Sequence, residues 1–145
     1  MRRHRSASPE ATAELGRVFA GSLRPGAVVA LIGELGTGKT QFVGGVCRGL
    51  GVTVTATSPT FTLINEYSAP FGSVIHVDLY RVGRREEIAE LGLEDYFTDR
   101  TICLIEWAEK LQGILPPEAL VLHFVHGERE HEREIEIPES GGTQP

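Results

Sequence analysis

The feature that most constrains this chain is a glycine-rich octapeptide at residues 33–40, which reads GELGTGKT. It fits the pattern G-x-x-x-x-G-K-[ST] at every position. A continuous apolar run from Ala27 to Ile32 precedes it, and the pattern after it predicts a helix from Lys39 to Leu50. A buried strand, a tight glycine loop and a helix N-terminus in that order form a cradle for phosphate groups. The octapeptide therefore predicts an α/β domain built around a phosphate-binding loop.

The residue types of this loop each suit contact with a magnesium nucleotide. The glycines Gly33, Gly36 and Gly38 allow the backbone to bend so that its N–H groups point at phosphate oxygens. Lys39, which we expect on an exposed loop–helix junction, supplies positive charge to the β- and γ-phosphates. The Thr40 hydroxyl can ligate magnesium. ATP and Mg²⁺ are the predicted ligands, and the alternative is a glycine-rich turn with a solvated lysine.

Strand and helix patterns alternate through the rest of the chain. The predicted elements are a helix beginning at Ser8-Pro9-Glu10, strands at Leu63 to Tyr67 and Ser73 to Tyr80, a helix at Arg85 to Leu91, a strand at Thr101 to Ile105, and a hairpin of Leu120 to Val125 with Arg133 to Ile137. Such interleaving around a buried first strand is typical of a P-loop NTPase-like three-layer α/β sandwich with a mixed, mostly buried β-sheet. Gly44 and Gly45 lie inside a predicted helix, which indicates close packing of that helix on the sheet.

The length of 145 residues favours one domain, and we assign it to residues 8–138. Residues 1–7 and 139–145 are expected to be flexible tails. The net charge of −6 argues against broad nucleic-acid binding across the surface. Cys47 and Cys103 stand apart in apolar runs, as buried free thiols do in a reducing compartment. No apolar run approaches the length of a membrane span, so we predict a cytoplasmic protein without membrane contact.

Two acidic residues follow apolar strands at the point where each strand ends. Asp78 follows Val74 to Val77, and Glu106 follows Ile102 to Ile105. Ligands bind beyond the carboxyl ends of the strands in open α/β sheets, and a magnesium nucleotide site needs a carboxylate there. The spacing does not decide which of the two holds the metal, and either one can instead be a solvated charge.

Other polar residues have a plainer alternative to a role in the site. Ser58 and Thr60 flank a proline and can line the γ-phosphate as a switch segment, although a simple turn is the favoured explanation when they are taken alone. His76 lies within a predicted strand, where a packed core histidine is the more common case than a base. Trp107, the only tryptophan, is either a core residue or a platform near the nucleotide.

Five motifs in a fixed order make the chain resemble a known protein family. They are GELGTGKT at 33–40, SPTFTL at 58–63, HVDLYR at 76–81, LGLEDYF at 91–97 and LIEW at 104–107. The phosphate loop is generic, whereas the ordered set of the other four is specific. The chain is similar to the TsaE (formerly YjeE) family of ATPases in bacterial tRNA threonylcarbamoyladenosine synthesis, over about residues 8 to 137.

The resemblance implies roles that the spacing left open. It implies that Glu106 joins Thr40 at magnesium, and that Asp78 faces the γ-phosphate and supports hydrolysis. The full set of implied residues is catalytic Asp78, Lys39 and Thr60; nucleotide-binding Gly33, Gly36, Thr37, Gly38, Lys39, Thr40, Gln41, Ser58 and Arg133; and metal-binding Thr40 and Glu106. Gln41 stands where relatives often carry a second threonine, and Arg133 matches an arginine that approaches the nucleotide in relatives.

The resemblance also implies partners. Family members work with TsaD and TsaB, and TsaD modifies the adenosine beside the anticodon in tRNAs reading codons that begin with A. ATP hydrolysis by TsaE resets the TsaB–TsaD complex between turnovers. The chain is thus expected to be a weak Mg²⁺-dependent ATPase that meets tRNA only indirectly, through the complex.

Two other functional classes fit a phosphate loop. A small-molecule kinase of the P-loop class has similar size and an arginine-rich lid, which Arg81, Arg84 and Arg85 can imitate, but no motif indicates an acceptor pocket. A GTPase switch usually carries an Asn-Lys-x-Asp motif for guanine, and this sequence has none. Turnover of nucleotide with and without candidate acceptors distinguishes a kinase from an ATPase.

Overall fold

The computed structural model describes residues 2–53, 63–111 and 113–138. Its strands are β1 (Arg2–Ser6), β2 (Val28–Gly33), β3 (Ile64–Ala69), β4 (Gly72–Asp78), β5 (Thr101–Glu106), β6 (Leu120–His126) and β7 (Arg133–Ile137). Its helices are α1 (Pro9–Ala20), α2 (Lys39–Gly49) and α3 (Arg85–Leu91), with 3-10 turns at Leu93–Tyr96 and Ala108–Lys110. The predicted elements are therefore present, and most boundaries differ by one or two residues.

The strands form one mixed sheet in the order β1-β7-β6-β2-β5-β4-β3. Strand β2 pairs in parallel with both β5 and β6, and β4 pairs in parallel with β5. The remaining pairs, β1 with β7, β6 with β7 and β3 with β4, are antiparallel. The strand that leads into the phosphate loop thus occupies the middle of a parallel block, as its uninterrupted apolar sequence predicts.

Both faces of the sheet are covered, which confirms the three-layer prediction. One hydrophobic cluster joins the sheet to α1 and α2 and includes Phe19, Phe42 and Leu104. The other lies on the opposite face and includes Ile88 of α3 and Ile105 of β5. Alternate residues of each central strand enter opposite clusters, because successive side chains of a strand point to opposite faces.

Helix α1 begins as its sequence predicts. Ser8 is the N-cap, and its hydroxyl accepts a hydrogen bond of 3.0 Å from the Ala11 N–H. Pro9 occupies the first helical position, where its missing N–H has no helical partner to lose. Such a cap contributes about 1 kcal/mol to helix stability.

The glycines of α2 have a different role from the predicted one. A Cβ atom on Gly45 would lie 1.8 Å from the Ala13 carbonyl oxygen of α1, so this glycine allows two helices, not a helix and the sheet, to approach closely. Gly16 of α1 makes the matching approach, with a Cβ position 2.2 Å from the Phe42 carbonyl oxygen. Gly44 meets no atom within 4 Å, so no packing explains it.

The start of the chain is not a frayed tail. Residues Arg2–Ser6 form the edge strand β1, in which Arg3 lies opposite Glu136 and Arg5 opposite Glu134. The arginine side chains donate to those carboxylates at 3.0 and 3.2 Å. Ser6 is buried and bonds the Thr12 hydroxyl at 2.7 Å, which ties the strand to α1. The basic residues are ordered because they match alternate glutamates of β7.

The cysteines are free, buried thiols, as predicted. Burial raises the pKa of both the Cys47 and Cys103 thiols to about 11, so neither is a thiolate at neutral pH. Residues 139–145 lie outside the described residues. Within the described ranges, no helix has both the length and the apolar character needed to span a bilayer.

Candidate nucleotide-binding site

The phosphate loop lies where the sequence predicts it, between β2 and α2. Gly33 ends the strand, and a Cβ atom there would lie 2.5 Å from the Phe124 carbonyl oxygen of β6. Gly36 and Gly38 have φ angles of 78° and 93°, in the left-handed region that favours glycine. Gly38 is the N-cap of α2, so the loop delivers the chain directly to a helix N-terminus.

Lys39 is almost fully buried, at 4% exposed, which corrects the expectation of an exposed junction. Its Nζ donates to the Gly33 carbonyl oxygen and lies 3.6 Å from the centre of the Trp107 ring. Burial lowers the pKa of the Lys39 ammonium below its ordinary value, while the carboxylates of Glu106, Glu109 and Asp78 act in the opposite direction. The ammonium is held by a carbonyl and an aromatic face, both of which are weaker partners than a phosphate.

Trp107 reaches Lys39 because of its backbone. Its φ is 61°, and within the described residues it is the only non-glycine residue with a positive φ. This left-handed conformation costs a non-glycine residue about 1–2 kcal/mol. It turns the chain sharply after Glu106, so that the indole packs 5.1 Å from the Tyr80 ring and covers the lysine.

Thr40 and Glu106 lie together at the carboxyl end of the parallel strands. The Thr40 hydroxyl donates to both carboxylate oxygens of Glu106, at 3.2 Å each. Glu106 is only 3% exposed, and its second neighbour is His76, whose Nε2 lies 2.6 Å from Oε2. A hydroxyl and a carboxylate side by side are the oxygen donors that Mg²⁺ prefers.

Asp78 lies beside Glu106 across the β4–β5 pair and faces the same cleft. Its Oδ1 accepts a hydrogen bond of 2.9 Å from the Tyr80 N–H, so the side chain is oriented by the turn that follows β4. The cleft has a volume of about 320 Å³. It is lined by Leu35, Gly36, Gly38, Lys39, Thr40, Gln41, Leu63, Asp78, Tyr80, Arg81, Glu106 and Trp107.

The segment after β4 is held by Lys110, a residue that the sequence analysis did not single out. Its Nζ donates to the carbonyl oxygens of Leu79, Tyr80 and Val82, at 3.0, 2.8 and 2.8 Å. These three bonds use all the donors of an ammonium group. They place Tyr80 and Arg81 at the cleft and maintain the turn that orients Asp78.

Arg133 approaches the loop from the other side. Its Nε donates to the Gly36 carbonyl oxygen, and its Nη1 donates to the carbonyl oxygens of Glu130 and Glu132, all at 2.9 Å. A smaller cavity of about 200 Å³ opens here. Its lining consists of Ser8, Pro9, Thr12, Gly36, Gly38, Gln41, His131 and Arg133. Gly36, Gly38 and Gln41 line both cavities, so the loop and the first turn of α2 lie between them.

The structure therefore gathers most of the predicted residues around one loop. Thr37 does not face the cleft, because it is buried and its hydroxyl donates to the Glu34 carbonyl oxygen at 2.7 Å. Ser58 and Thr60 lie outside the described residues. His76 is buried, as its sequence position predicts, yet it also contacts Glu106. The signal that could have revealed this contact is its place two residues before Asp78, on the same face of the strand.

Comparison with known proteins shows which family the chain resembles. A family model described as "Threonylcarbamoyl adenosine biosynthesis protein TsaE" matches residues 6–135. The Bacillus subtilis protein named tRNA threonylcarbamoyladenosine biosynthesis protein TsaE is 40% identical over 131 residues, which cover 90% of this chain and 81% of that protein. Its Haemophilus influenzae namesake is 44% identical over 97 residues, which cover 67% of this chain and 61% of that protein.

A solved structure shares the fold. The crystal structure of Bacillus subtilis YdiB superposes with a TM-score of 0.75 at 34% sequence identity, and the match covers 92% of this chain and 82% of that one. The agreement in family model, sequence and fold extends over nearly the whole chain. The chain belongs to the TsaE family of threonylcarbamoyl adenosine biosynthesis proteins.

Proposed function

We propose that this protein binds ATP with Mg²⁺ and hydrolyses it slowly in the cytoplasm, as part of threonylcarbamoyladenosine modification of tRNA. In this proposal it acts with TsaD and TsaB on tRNAs reading codons that begin with A. The hydrolysis resets the TsaB–TsaD complex between turnovers, and tRNA is met only through that complex. One domain carries the activity, and it includes the edge strand β1 as well as the residues from 8 to 138.

The observation that supports this proposal best is the contact between Thr40 and Glu106. The two residues are far apart in sequence, and their oxygen atoms lie 3.2 Å apart beside the phosphate loop. In P-loop NTPases, the loop threonine or serine and a strand-end carboxylate hold the magnesium of the nucleotide. The pairing favours a magnesium nucleotide over a bare phosphate ion as the ligand.

The donor set suits magnesium. Within residues 2–53, 63–111 and 113–138, no group of three or more His, Cys, Asp or Glu side chains forms a metal cage. Magnesium is usually held by one or two side chains together with substrate phosphates and water, which matches a single threonine–glutamate pair. When bound, the metal neutralises charge on the β- and γ-phosphates during transfer.

The remaining steps belong to side chains of the chain itself. Lys39 leaves the Gly33 carbonyl oxygen and the Trp107 ring and binds phosphate oxygens, for which its ammonium has greater affinity. The loop N–H groups and the N-terminus of α2 hold the same oxygens. Asp78, oriented by the Tyr80 N–H, accepts a hydrogen bond from the attacking water and directs it at the γ-phosphate.

Coupling to partners follows from the difference between ATP and ADP. A ligand shifts a conformational equilibrium only by its differential affinity for the two states. The γ-phosphate is the group that ATP has and ADP lacks, so it is what a switch segment can sense. The predicted switch residues Ser58 and Thr60, which are outside the described ranges, enter the proposal from the sequence motif alone.

The test is calorimetry of the purified protein against a purified TsaB–TsaD complex, first with a non-hydrolysable ATP analogue and then with ADP. We expect a difference in affinity between the two nucleotide states, and faster hydrolysis of ATP when the complex is present. Lys39→Ala is the control, because it should lose the nucleotide dependence. Equal affinity in both states, or phosphate transfer to a small-molecule acceptor, would overturn the proposal and favour a kinase.

A further inference from the structure

One buried titratable side chain near the site has no role in the function proposed above. His76 lies in the middle of β4 and is completely buried. Its Nε2 lies 2.6 Å from Oε2 of Glu106, which is a short contact for a nitrogen and an oxygen. The carboxylate is nearly as buried, so water does not compete for this contact.

The sheet register brings the two residues together. Strands β4 and β5 are parallel, and Asp78 pairs with Glu106 while His76 pairs with Leu104. Residues two positions apart on a strand share a face, so His76 and Asp78 both point toward the face that carries Glu106. Glu106 therefore has a histidine deeper in the sheet and the cleft on its outer side.

The position of the imidazole proton follows from the partners of the ring. Nδ1 is buried, and among the described residues it has no hydrogen-bond partner. Nδ1 lacks a partner among these residues in either tautomer, but a proton on Nδ1 would leave the Nε2 lone pair facing the carboxylate oxygen 2.6 Å away, with no hydrogen atom between two acceptors. Nε2 has the Glu106 carboxylate beside it. The ring therefore carries its proton on Nε2 and donates it to Oε2.

We propose that His76 is a positioning residue, which holds the carboxylate of Glu106 in the orientation that magnesium requires. This inference rests on the proposed function. The two contacts of Thr40 with Glu106 are 3.2 Å long and shared between both oxygens, so they define the carboxylate orientation poorly. The 2.6 Å bond from His76 holds Oε2 on the interior side and so fixes the rotation of the carboxylate. Oε1 is then the oxygen available to the metal. His76 acts through Glu106 and does not touch the nucleotide.

Two substitutions separate this role from simple packing. His76→Gln keeps an amide N–H near the position of the imidazole Nε2, whereas His76→Leu keeps apolar volume and removes the donor. ATP affinity is measured by calorimetry in EDTA and across a magnesium titration. We expect His76→Leu to need about tenfold more magnesium than the parent for the half-maximal increase in ATP affinity. This value is the lower end of the usual loss when a residue that supports a metal ligand is replaced. Binding in EDTA should be unchanged, and His76→Gln should stay within about threefold of the parent in magnesium dependence.

A measurement on the unaltered protein covers the case in which His76→Leu does not fold. Long-range proton–nitrogen correlation spectra of the ¹⁵N-labelled chain report which ring nitrogen carries the proton. We expect the Nε2–H tautomer for His76. A ring without a proton on Nε2 would overturn the inference, as would a His76→Gln variant that loses as much magnesium dependence as His76→Leu.

Failure of this inference is distinguishable from failure of the proposed function. If ATP binding by the parent protein does not depend on magnesium, both are wrong. If the parent depends on magnesium and folded His76→Leu matches it in the titration, only the role of His76 is wrong, and the histidine serves the core. Equal weakening in EDTA and in magnesium would also reject the inference, because it would show an effect on the loop rather than on the metal.

Discussion

The two sides of the phosphate loop are built from different kinds of contact. On the β5 side, Thr40, Glu106 and His76 form a chain of side-chain contacts in which Glu106 and His76 are buried and Thr40 is half-buried. On the β6 side, Arg133 is half-buried and its guanidinium donates only to main-chain carbonyl oxygens in the bonds described above. The contacts on the β5 side depend on which side chain occupies each position. Those on the β6 side depend on where the backbone places its carbonyl groups.

This difference predicts how each side responds to substitution. When a buried carboxylate loses a hydrogen-bond partner, no water takes the partner's place. Substitutions on the β5 side should therefore have large effects on magnesium affinity and on the rate of hydrolysis. On the β6 side, water can replace the hydrogen bonds that a half-buried arginine makes. Substitutions there should therefore have small effects on nucleotide affinity. Lys39 belongs to neither side, because it lies where the loop enters α2 and in the proposed function binds the phosphate groups of the nucleotide.

The largest expected effect is therefore that of Lys39→Ala. Removing the ammonium should lower ATP affinity about a hundredfold, within the range of a hydrogen bond between charged groups, and abolish measurable hydrolysis. The fold should be retained, because the substitution also removes a buried charge whose pKa is lowered by burial. Equilibrium binding of a fluorescent ATP analogue and the circular dichroism spectrum check both statements. Lys39→Met, which keeps the side-chain volume, is the matched control for packing. A variant that binds ATP as tightly as the parent would show that the loop is not the phosphate site.

The next effect separates the two acidic strand ends. Glu106→Gln should weaken the dependence of ATP binding on magnesium by about tenfold, because one anionic ligand of the metal becomes neutral. Asp78→Asn should leave that dependence intact and slow hydrolysis by at least about tenfold, since it loses the acceptor for the attacking water. A magnesium titration of binding and a phosphate-release assay are run on both variants. Equal losses of metal dependence would contradict the division of roles.

The same distinction between local patterns and distant contacts separates the features that the sequence predicts from those that it does not. Helix α3 spans the predicted Arg85–Leu91, and α1 begins at the predicted Ser8 cap, because both follow from local patterns. Apolar runs predict the buried strands for the same reason. Spacing alone left Asp78 and Glu106 undecided, and the family resemblance was needed to pair Glu106 with Thr40. That pairing is a contact between the first turn of α2 and the end of β5, which no local pattern contains.

The other features that the sequence did not predict are contacts between segments that are distant in the chain. The basic residues of β1 are ordered by glutamates near the other end of the chain, and a net-charge count does not show which charges face each other. His76 has the neighbours of a core residue, and its place two residues before Asp78 indicates a contact with Glu106 only once the β4–β5 register is known. Lys110 is unremarkable in sequence because its partners are carbonyl oxygens, which every residue has.

A smaller effect is expected on the β6 side. Arg133→Ala should weaken ATP binding by about two- to tenfold, which corresponds to one ordinary hydrogen bond, because the Gly36 carbonyl and the β6–β7 turn lose their link. The magnesium dependence should not change, because Arg133 approaches the loop on the side away from Glu106. Calorimetry with ATP at low and high magnesium measures both. Arg129→Ala, an exposed arginine of the same turn, is the matched control. A change in magnesium dependence for Arg133→Ala would show that the two sides are coupled through the loop.

The smallest effect concerns Trp107, which follows Glu106 and lies against Lys39. The indole face stabilises the Lys39 ammonium, and such a contact is worth about 0.5–1 kcal/mol where water still reaches the ring, as it does at the half-buried Trp107. ATP must compete with it for the lysine. Replacing Trp107 with leucine removes the competing contact, so ATP affinity should rise by about two- to fivefold, the same free energy expressed as a ratio.

The emission of the tryptophan gives an independent reading of the same event. Trp107 is the only tryptophan in the chain, so its fluorescence reports this position alone. ATP should change the tryptophan emission of the parent protein, because the Lys39 ammonium leaves the Trp107 ring. The emission of Lys39→Met should stay unchanged, even at ATP concentrations that saturate that variant. A fall in ATP affinity for Trp107→Leu would mean that the indole contacts the nucleotide more favourably than it contacts the lysine. Trp107 would then be a binding residue of the cleft, and the strained backbone after Glu106 would serve the bound state instead of the free one.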